Sequence, residues 1–402
     1  MLEAPMKSFI AAIGWRLSVL FKVPGNLYSF LIRLFHPVEK NKVMCWAYNF
    51  KQFGCNPKYL TEFLLENNSG FDIYWVLRKN VSTKGIDPRI KIVRFRSLEY
   101  YKLVNTAGFL ITNARIDPFR IYWHKRPEQK YLMLWHGGVA LKKIEKDAED
   151  NLSYTYLKRA KRDSKVCDLM ISGCDFQTKL IKEKFWYDGE ILEKGIPRND
   201  IFFQTEKHVE MKERVITKYN IPKDNCIVLY APTFRRNKSI EPYKINWNNV
   251  IPALREKFDG KNITILLRLH PNLIGSADVT PLLNNPSVID ATLYHDMQEL
   301  LCISDVLITD YSSSMFDFTM QKRPCLLYAT DVEQYDRGYY FDFKDLPYPL
   351  ATDEAALINN IKQFDKEKYD DDLKNFFDKR VGLFEDGNAS KALSEWMIKN
   401  KF

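Results

Sequence analysis

The stretch "VLITDYSSSMFDF" (306–318) sets Asp310 and three hydroxyls, Ser312, Ser313 and Ser314, between an apolar run and a helix-compatible segment. A helix beginning at Ser313 or Ser314 offers backbone N–H groups and the positive end of its dipole. With the serine hydroxyls added, the stretch is suited to an anion held without a metal. In "LLRLHP" Arg268 and His270 stand two apart, so on a strand they would share a face and present two cationic groups suited to a pyrophosphate. Arg235 closes the run "CIVLYAPTFR", another polar group just past a strand. In "YLMLWHGG" an imidazole, His136, precedes Gly137 and Gly138; it titrates near neutral pH and the glycines let a substrate approach the ring closely. His136 is therefore a candidate general base. Lys142 and Lys143 follow it and could face phosphate. Asn113 ends the run "GFLITN", and "EDGNASKAL" (385–393) sets Gly387 and Ser390 at the start of a last helix as a second anion site. A serine nucleophile partnered by Asp310 and His270 is the competing chemistry, and it lacks the G-x-S-x-G elbow that exposes such a serine. Walker and G-x-G-x-x-G fingerprints are absent from the sequence, and no D-x-D pair stands where a metal would be expected.

These residues need a scaffold that gathers strand ends. Twelve short β-branched or aromatic runs alternate with amphipathic segments: 42–49, 71–79, 90–95, 108–113, 130–137, 168–173 and 190–195, then 226–233, 263–271, 287–292, 306–313 and 324–330. That rhythm predicts βαβ units and mostly parallel sheets covered by helices. A polar helical stretch near 206–220 separates two sets, and helices follow residue 354. At 402 residues the chain is sized for two domains. The expected α/β architecture is two facing, doubly wound Rossmann-like domains, 41–205 and 206–402, behind an amphipathic helical segment, 1–40. In such sheets ligands bind beyond the carboxyl ends of the strands, where the candidates at Asn113, His136, Arg235, Arg268, His270 and Ser312 to Ser314 lie.

The net charge of +9 is local rather than general. Residues 1–42 hold six basic and two acidic residues, and "KRAKRDSK" (158–165) holds five basic and one acidic. Without a reading module or basic residues interleaved with aromatics, this distribution argues against nucleic acid and for an anionic membrane surface. Phe9 or Ile10, Ile13, Leu17 and Leu20, and after the breaker Pro24-Gly25-Asn26 also Leu27, Phe30, Leu31 and Leu34, recur at helical spacing. Arg16, Lys22 and Arg33 interrupt both runs, so neither reaches the ~18 apolar residues of a membrane span. Two helices lying in the headgroup region are predicted, with Trp15 and Tyr28 at the polar boundary. No small-residue cleavage site of a signal peptide follows. Seven scattered cysteines, never spaced C-x-x-C, point to a reducing, cytosolic compartment without zinc or disulfides.

Eight ordered motifs resemble the CDP-glycerol glycerophosphotransferase family, the teichoic acid primases and polymerases of bacterial cell envelopes. They are "WHGGVALKKI" (135–144), "GIPRNDIF" (195–202), "YAPTFR" (230–235), "LRLHP" (267–271), "ITDYSSSMFDF" (308–318), "RPCLLYATD" (323–331), "YDRGYYFDF" (335–343) and "EDGNAS" (385–390). The resemblance implies a GT-B fold and a peripheral enzyme on the cytoplasmic face of the bacterial membrane. It implies transfer of a polyol phosphate from CDP-glycerol or CDP-ribitol to a hydroxyl of a lipid-linked glycan, in teichoic acid or capsule synthesis, with release of CMP and no cofactor. On that mapping His136 takes the acceptor proton. His270, Arg235, Arg268 and Ser312 to Ser314 hold the pyrophosphate and stabilise the developing charge, joined by Ser390 and Gly387. Asp317 would contact donor hydroxyls, and Asn113, Gly137 and Lys142 belong to the acceptor side. The chain has Gly138 and Val139 where the family carries threonine and proline, which loosens that loop and removes a hydroxyl. A nucleotide-sugar glycosyltransferase of the same fold and a non-catalytic membrane scaffold are the alternative functions.

Overall fold

The structure, a computed structural model, describes residues 23–116, 123–235, 237–270, 273, 278–334 and 338–401. The first of the two predicted N-terminal helices, with Trp15, lies outside the described residues, as does Pro271. Each of the twelve apolar runs overlaps a strand: β1 (Glu39–Trp46), β2 (Asp72–Leu77), β3 (Lys91–Arg94), β4 (Ala107–Thr112), β5 (Lys130–Met133), β6 (Leu169–Ser172), β7 (Glu190–Glu193), β8 (Cys226–Ala231), β9 (Ile263–Leu267), β10 (Val288–Asp290), β11 (Val306–Thr309) and β12 (Cys325–Tyr328). A two-residue strand, β13 (Leu350–Ala351), was not foreseen. One sheet runs β3-β2-β1-β4-β5-β6-β7 and the other β10-β9-β8-β11-β12-β13. Neighbours pair in parallel from β3 through β6 and from β10 through β13. Each sheet reverses its strand order once, between β1 and β4 and between β8 and β11, the doubly wound pattern.

Contacts divide the chain into two compact units, one within Met1–Trp135, Thr155–Met170 and Leu393–Phe402, the other within His136–Tyr154 and Ile171–Ala392. The core of the second unit forms because β8, β9 and β11 are apolar along their length. Val228, Tyr230, Ile265, Leu267, Val306 and Ile308 pack beneath helices 247–257 and 354–362. Helix Trp247–Lys257 turns Trp247, Val250, Ile251 and Leu254 inward, the i, i+3, i+4, i+7 stripe of a surface helix. In the first unit, a buried ion pair joins Arg115 to Asp163 at 2.9 Å. Asp163 also accepts the Tyr131 hydroxyl and the Ile116 N–H. The one acid of the basic run 158–165 is therefore structural.

Two local expectations change. Pro24, Gly25 and Asn26 do not break the chain but begin helix Val23–Phe35, where the missing N–H of a proline needs no partner. That helix packs on helix Leu98–Thr106, buries Ser29 and Ile32, and leaves Leu27, Phe30, Leu31, Leu34 and Phe35 exposed. The run 263–271 is strand only to Leu267. Beyond it the Leu269 N–H goes to the Thr292 hydroxyl instead of a strand neighbour, so Arg268 and His270 stand in a loop rather than on one strand face. All seven cysteines are free thiols and buried. Among the described residues no helix is long and apolar enough to cross a membrane, and no cluster of three or more histidine, cysteine or acidic side chains is arranged around a metal.

Candidate active site

Three loops at the carboxyl end of the second sheet are tied together by one cation. Asp310, the first residue after β11, accepts the N–H groups of Thr233 (2.8 Å) and Tyr311 (2.6 Å) and faces Arg235 Nη1 at 2.9 Å. Arg235 grips Asp331, after β12, through Nε (2.7 Å) and Nη2 (2.9 Å). Its guanidinium lies against the rings of Tyr311 and Tyr243 and is 6% exposed. Burial opposes the charge of this group, but the hydrogen bond to Asp331 and then the field of Asp310 outweigh it and hold it firmly protonated. Burial likewise pushes Asp331 up, and the bonds from Arg235 and the Tyr311 hydroxyl reverse this, leaving the carboxyl below its ordinary value. Arg235 thus fixes the loops that follow β8, β11 and β12, its fork filled by two carboxylates.

The groups left facing outward are Ser312, Ser313 and Ser314, each partly exposed, with Ser312 Oγ and Ser314 Oγ 2.8 Å apart. The expected helix begins at Ser314 and runs only to Phe318. Met315, Phe316 and Phe318 anchor it in the core. Lys142 arrives on a segment zipped to residues 338–340, through Lys143 N–H to Gly338 O (2.8 Å) and Tyr340 N–H to Leu141 O (2.9 Å). Its ammonium lies 6.0 Å from the Tyr311 ring. The His270 ring sits 5.5 Å from that of Phe234. Partial burial, then repulsion from Arg268 and Lys142, lower its pKa, so it is a neutral imidazole at pH 7. Arg268 itself donates to the carbonyls of Tyr294 (2.6 Å) and Ala291 (3.4 Å) and braces the following loop.

His136 is exposed and belongs by contact to this same unit. The backbone before it is tightly set: Trp135 takes a left-handed φ of 47°, and Asn56 holds the carbonyls of Leu134 and Trp135. Gln177 donates to Gly137 O at 3.0 Å. The His136 carbonyl accepts from Arg198 Nη1, and Arg198 Nη2 lies 2.7 Å from Asp317 Oδ2, which also accepts from Gln298. A buried cation therefore connects the backbone of His136 to the short helix that begins at Ser314. Asp317 is 4% exposed and engaged inside the protein.

The stretch "GIPRNDIF" shows no role in its sequence, yet Arg198, Asn199 and Asp200 are all buried and each has a task. Asn199 donates to Glu385 Oε1 (2.9 Å) and the Ile196 N–H to Oε2 (3.1 Å). Gly173 and Gly195 close over that carboxyl so tightly that a Cβ would fall 2.2 and 2.7 Å from its oxygens. Burial pushes Glu385 up to about 8. Asp200 accepts the N–H groups of Ala389 (2.9 Å) and Ser390 (2.7 Å), so the last helix start is occupied by the chain's own carboxylate. Ser390 is 2% exposed and Gly387 turns at a φ of 80° against Phe203. The signal available in the sequence is position: these three polar residues stand in the short helical turn Pro197–Phe203 that comes after β7. Asn113 lies in the first unit, fully buried, and accepts the Tyr48 N–H at 2.9 Å.

A family model described as CDP-Glycerol:Poly(glycerophosphate) glycerophosphotransferase matches residues 28–399. The chain belongs to this family. It is 32% identical to the teichoic acid glycerol-phosphate transferase of Staphylococcus aureus, over 94% of this chain and 98% of the relative. To the teichoic acid poly(glycerol phosphate) polymerase of Bacillus subtilis it is 30% identical over 96% of its length, but spans only 52% of that protein. A Staphylococcus epidermidis polymerase is matched over 51% of its length. Among solved structures, the wall teichoic acid polymerase TagF superposes with a TM-score of 0.79 at 27% identity, covering 98% of both chains, and one such TagF structure was soaked with CDPG. The family is one of transferases, and its glycerophosphotransferase members act in teichoic acid synthesis.

Proposed function

We propose that this protein transfers a polyol phosphate, glycerol phosphate first, from a CDP-linked donor to a hydroxyl of a lipid-linked glycan. His136 removes the acceptor proton. The freed oxygen attacks the phosphorus that bears the polyol, the bond from that phosphorus to the bridging oxygen breaks, and CMP leaves with the bridging oxygen. Residues 206–402 receive the donor and residues 41–205 the acceptor. Ser312, Ser313 and Ser314 with neutral His270 donate hydrogen bonds to the pyrophosphate, and Lys142 adds positive charge as negative charge builds on the departing CMP. Arg235, Arg268 and Asp317 position these groups from within. The observation that carries the reading is the Arg198 bridge, which ties the main-chain carbonyl of His136, a residue with an exposed side chain, to the short helix that follows Ser312 and Ser313, within one unit. CDP-ribitol is the second donor to test, since a ribitol-phosphate primase is also among the relatives.

Work on a lipid-linked acceptor calls for a membrane surface. The apolar side of helix Val23–Phe35, with Phe30 56% and Leu34 61% exposed and Arg33 in its last turn, supports peripheral binding to a membrane, for which the proposed side is the cytoplasmic face. The decisive assay is CMP release from CDP-glycerol and CDP-ribitol with a lipid-linked disaccharide, wild type beside His136→Ala. Acceptor-dependent release that drops by about 10²–10⁴ in the variant is expected. Consumption of nucleotide sugars in place of both donors would overturn the reaction, and equal turnover by the variant would remove His136 as the base.

A further inference from the structure

The first sheet carries chemistry of its own at its carboxyl end. The order β3-β2-β1-β4 sets side by side the residues that follow these strands: the turn Tyr48–Phe50 after β1, Arg78 after β2, Arg96 after β3 and Arg115 after β4. This is where the strand order reverses, the position at which open parallel sheets take ligands. A cavity of about 530 Å³ opens there, within the range of small-molecule sites. Its lining includes Lys51, Arg78, Arg96, Arg115 and Arg159 and, among the described residues, no acidic side chain. Arg115 is buried behind the others on Asp163, whereas Lys51, Arg78 and Arg96 are exposed. Arg159 Nε is buried with no hydrogen-bond partner among the described residues.

The wall is rigid as well as cationic. Phe50 stacks on Trp46 at 5.4 Å and on Phe95 at 4.2 Å. Tyr48, Asn49 and Phe50 hold φ values of 48°, 57° and 67°, three successive non-glycine residues in the left-handed region. Contacts enforce that backbone: Asn113 Oδ1 on the Tyr48 N–H, the Arg78 N–H on Phe50 O (2.9 Å), and Arg78 Nε on Asn49 O (3.1 Å). Backbone strain kept in place by its surroundings gathers at ligand sites. Asn113, singled out in the sequence for the acceptor side, thus shapes the cavity without entering it.

We infer that this cavity binds the anionic, phosphate-bearing end of the lipid-linked saccharide acceptor. Guanidinium forks match phosphate oxygens, flat aromatic rings beside them suit a sugar, and the volume exceeds what a single phosphate needs. The identity of the ligand rests on the transfer reaction proposed above; its anionic character rests on the cavity alone.

The test uses the full chain, wild type and Arg78→Gln/Arg96→Gln, both exposed positions, with matching thermal midpoints as the check on folding. Calorimetric titration with a water-soluble disaccharide diphosphate carrying a short alkyl chain should show binding that weakens tenfold or more in the variant, while CDP-glycerol affinity stays the same. In turnover, KM for the acceptor rises and kcat at saturating acceptor holds. Unchanged disaccharide diphosphate affinity overturns the inference, as does an equal loss for CDP-glycerol. It also fails if the two arginines matter only for anionic phospholipid vesicles or only for single-stranded nucleic acid. If wild type releases no CMP yet binds the disaccharide diphosphate through these arginines, the transfer reaction is wrong and the cavity assignment stands. Normal turnover with an unmoved acceptor KM in the variant sinks the cavity assignment alone.

Discussion

Arg198→Met removes a cation that is 8% exposed from a carboxylate that is 5% exposed, at a separation of 2.7 Å. Withdrawing one partner of a buried pair costs about 3–5 kcal/mol, because the remaining charge has neither water nor counter-ion. Among the described residues Asp317 then keeps only the Gln298 amide. The second loss, the hydrogen bond to the His136 carbonyl, adds less, since that residue is exposed and water can reach it. At ~2–4 °C per kcal/mol for a unit of this size, the thermal midpoint should fall by roughly 10 °C. Asp317→Asn alone leaves the guanidinium buried and uncompensated. The double variant Arg198→Met/Asp317→Asn has neither charge and should lose ~1–3 kcal/mol less than the two single losses added together. Activity separates positioning from stability. Assayed well below every midpoint, Arg198→Met should lose about 10²-fold in kcat with KM for the donor little changed, the scale expected when a base is displaced by about 1 Å. Midpoints that add to within ~0.5 kcal/mol, or a kcat equal to wild type, would refute the argument that this pair sets the position of His136.

Glu385→Gln should change how stability depends on pH. The folded carboxyl, pushed from 4.5 to about 8, holds its proton where the unfolded one has released it; its contribution is complete below pH 4.5 and is lost as pH rises through about 8. Thermal midpoints taken from pH 6.5 to 8.5 should fall for wild type and stay flatter for the variant. Parallel curves would mean that the carboxyl is ionised in the folded protein. On the outer face of the N-terminal helix, Leu27→Gln/Phe30→Gln/Leu34→Gln should release the protein from anionic vesicles in a sedimentation assay while turnover of a soluble acceptor analogue continues. Unchanged sedimentation would remove that helix from membrane binding.

The order of β1 to β12 along the chain, the two sheets and the families of residues at strand ends were readable, though the two-residue β13 was not, because burial on both faces forces parallel strands to be continuously apolar and function to collect where they stop. Spacing alone picked out His136, Ser312 to Ser314 and His270, and the structure leaves the imidazoles exposed and the hydroxyls partly so. What spacing could not say is which polar residues point outward and which are consumed inside. Arg235 and Arg268 look alike in sequence to groups that meet a ligand, yet Arg235 bridges Asp310 and Asp331, far apart in the chain, and Arg268 turns to the carbonyls of Ala291 and Tyr294. The start of the last helix carries every mark of an anion site, and Asp200, about 190 residues earlier, fills it. Arg198 and Glu385 were missed for the same reason. An ion pair is set by three-dimensional proximity and by how much water it excludes, and neither is a property of a residue's neighbours along the chain.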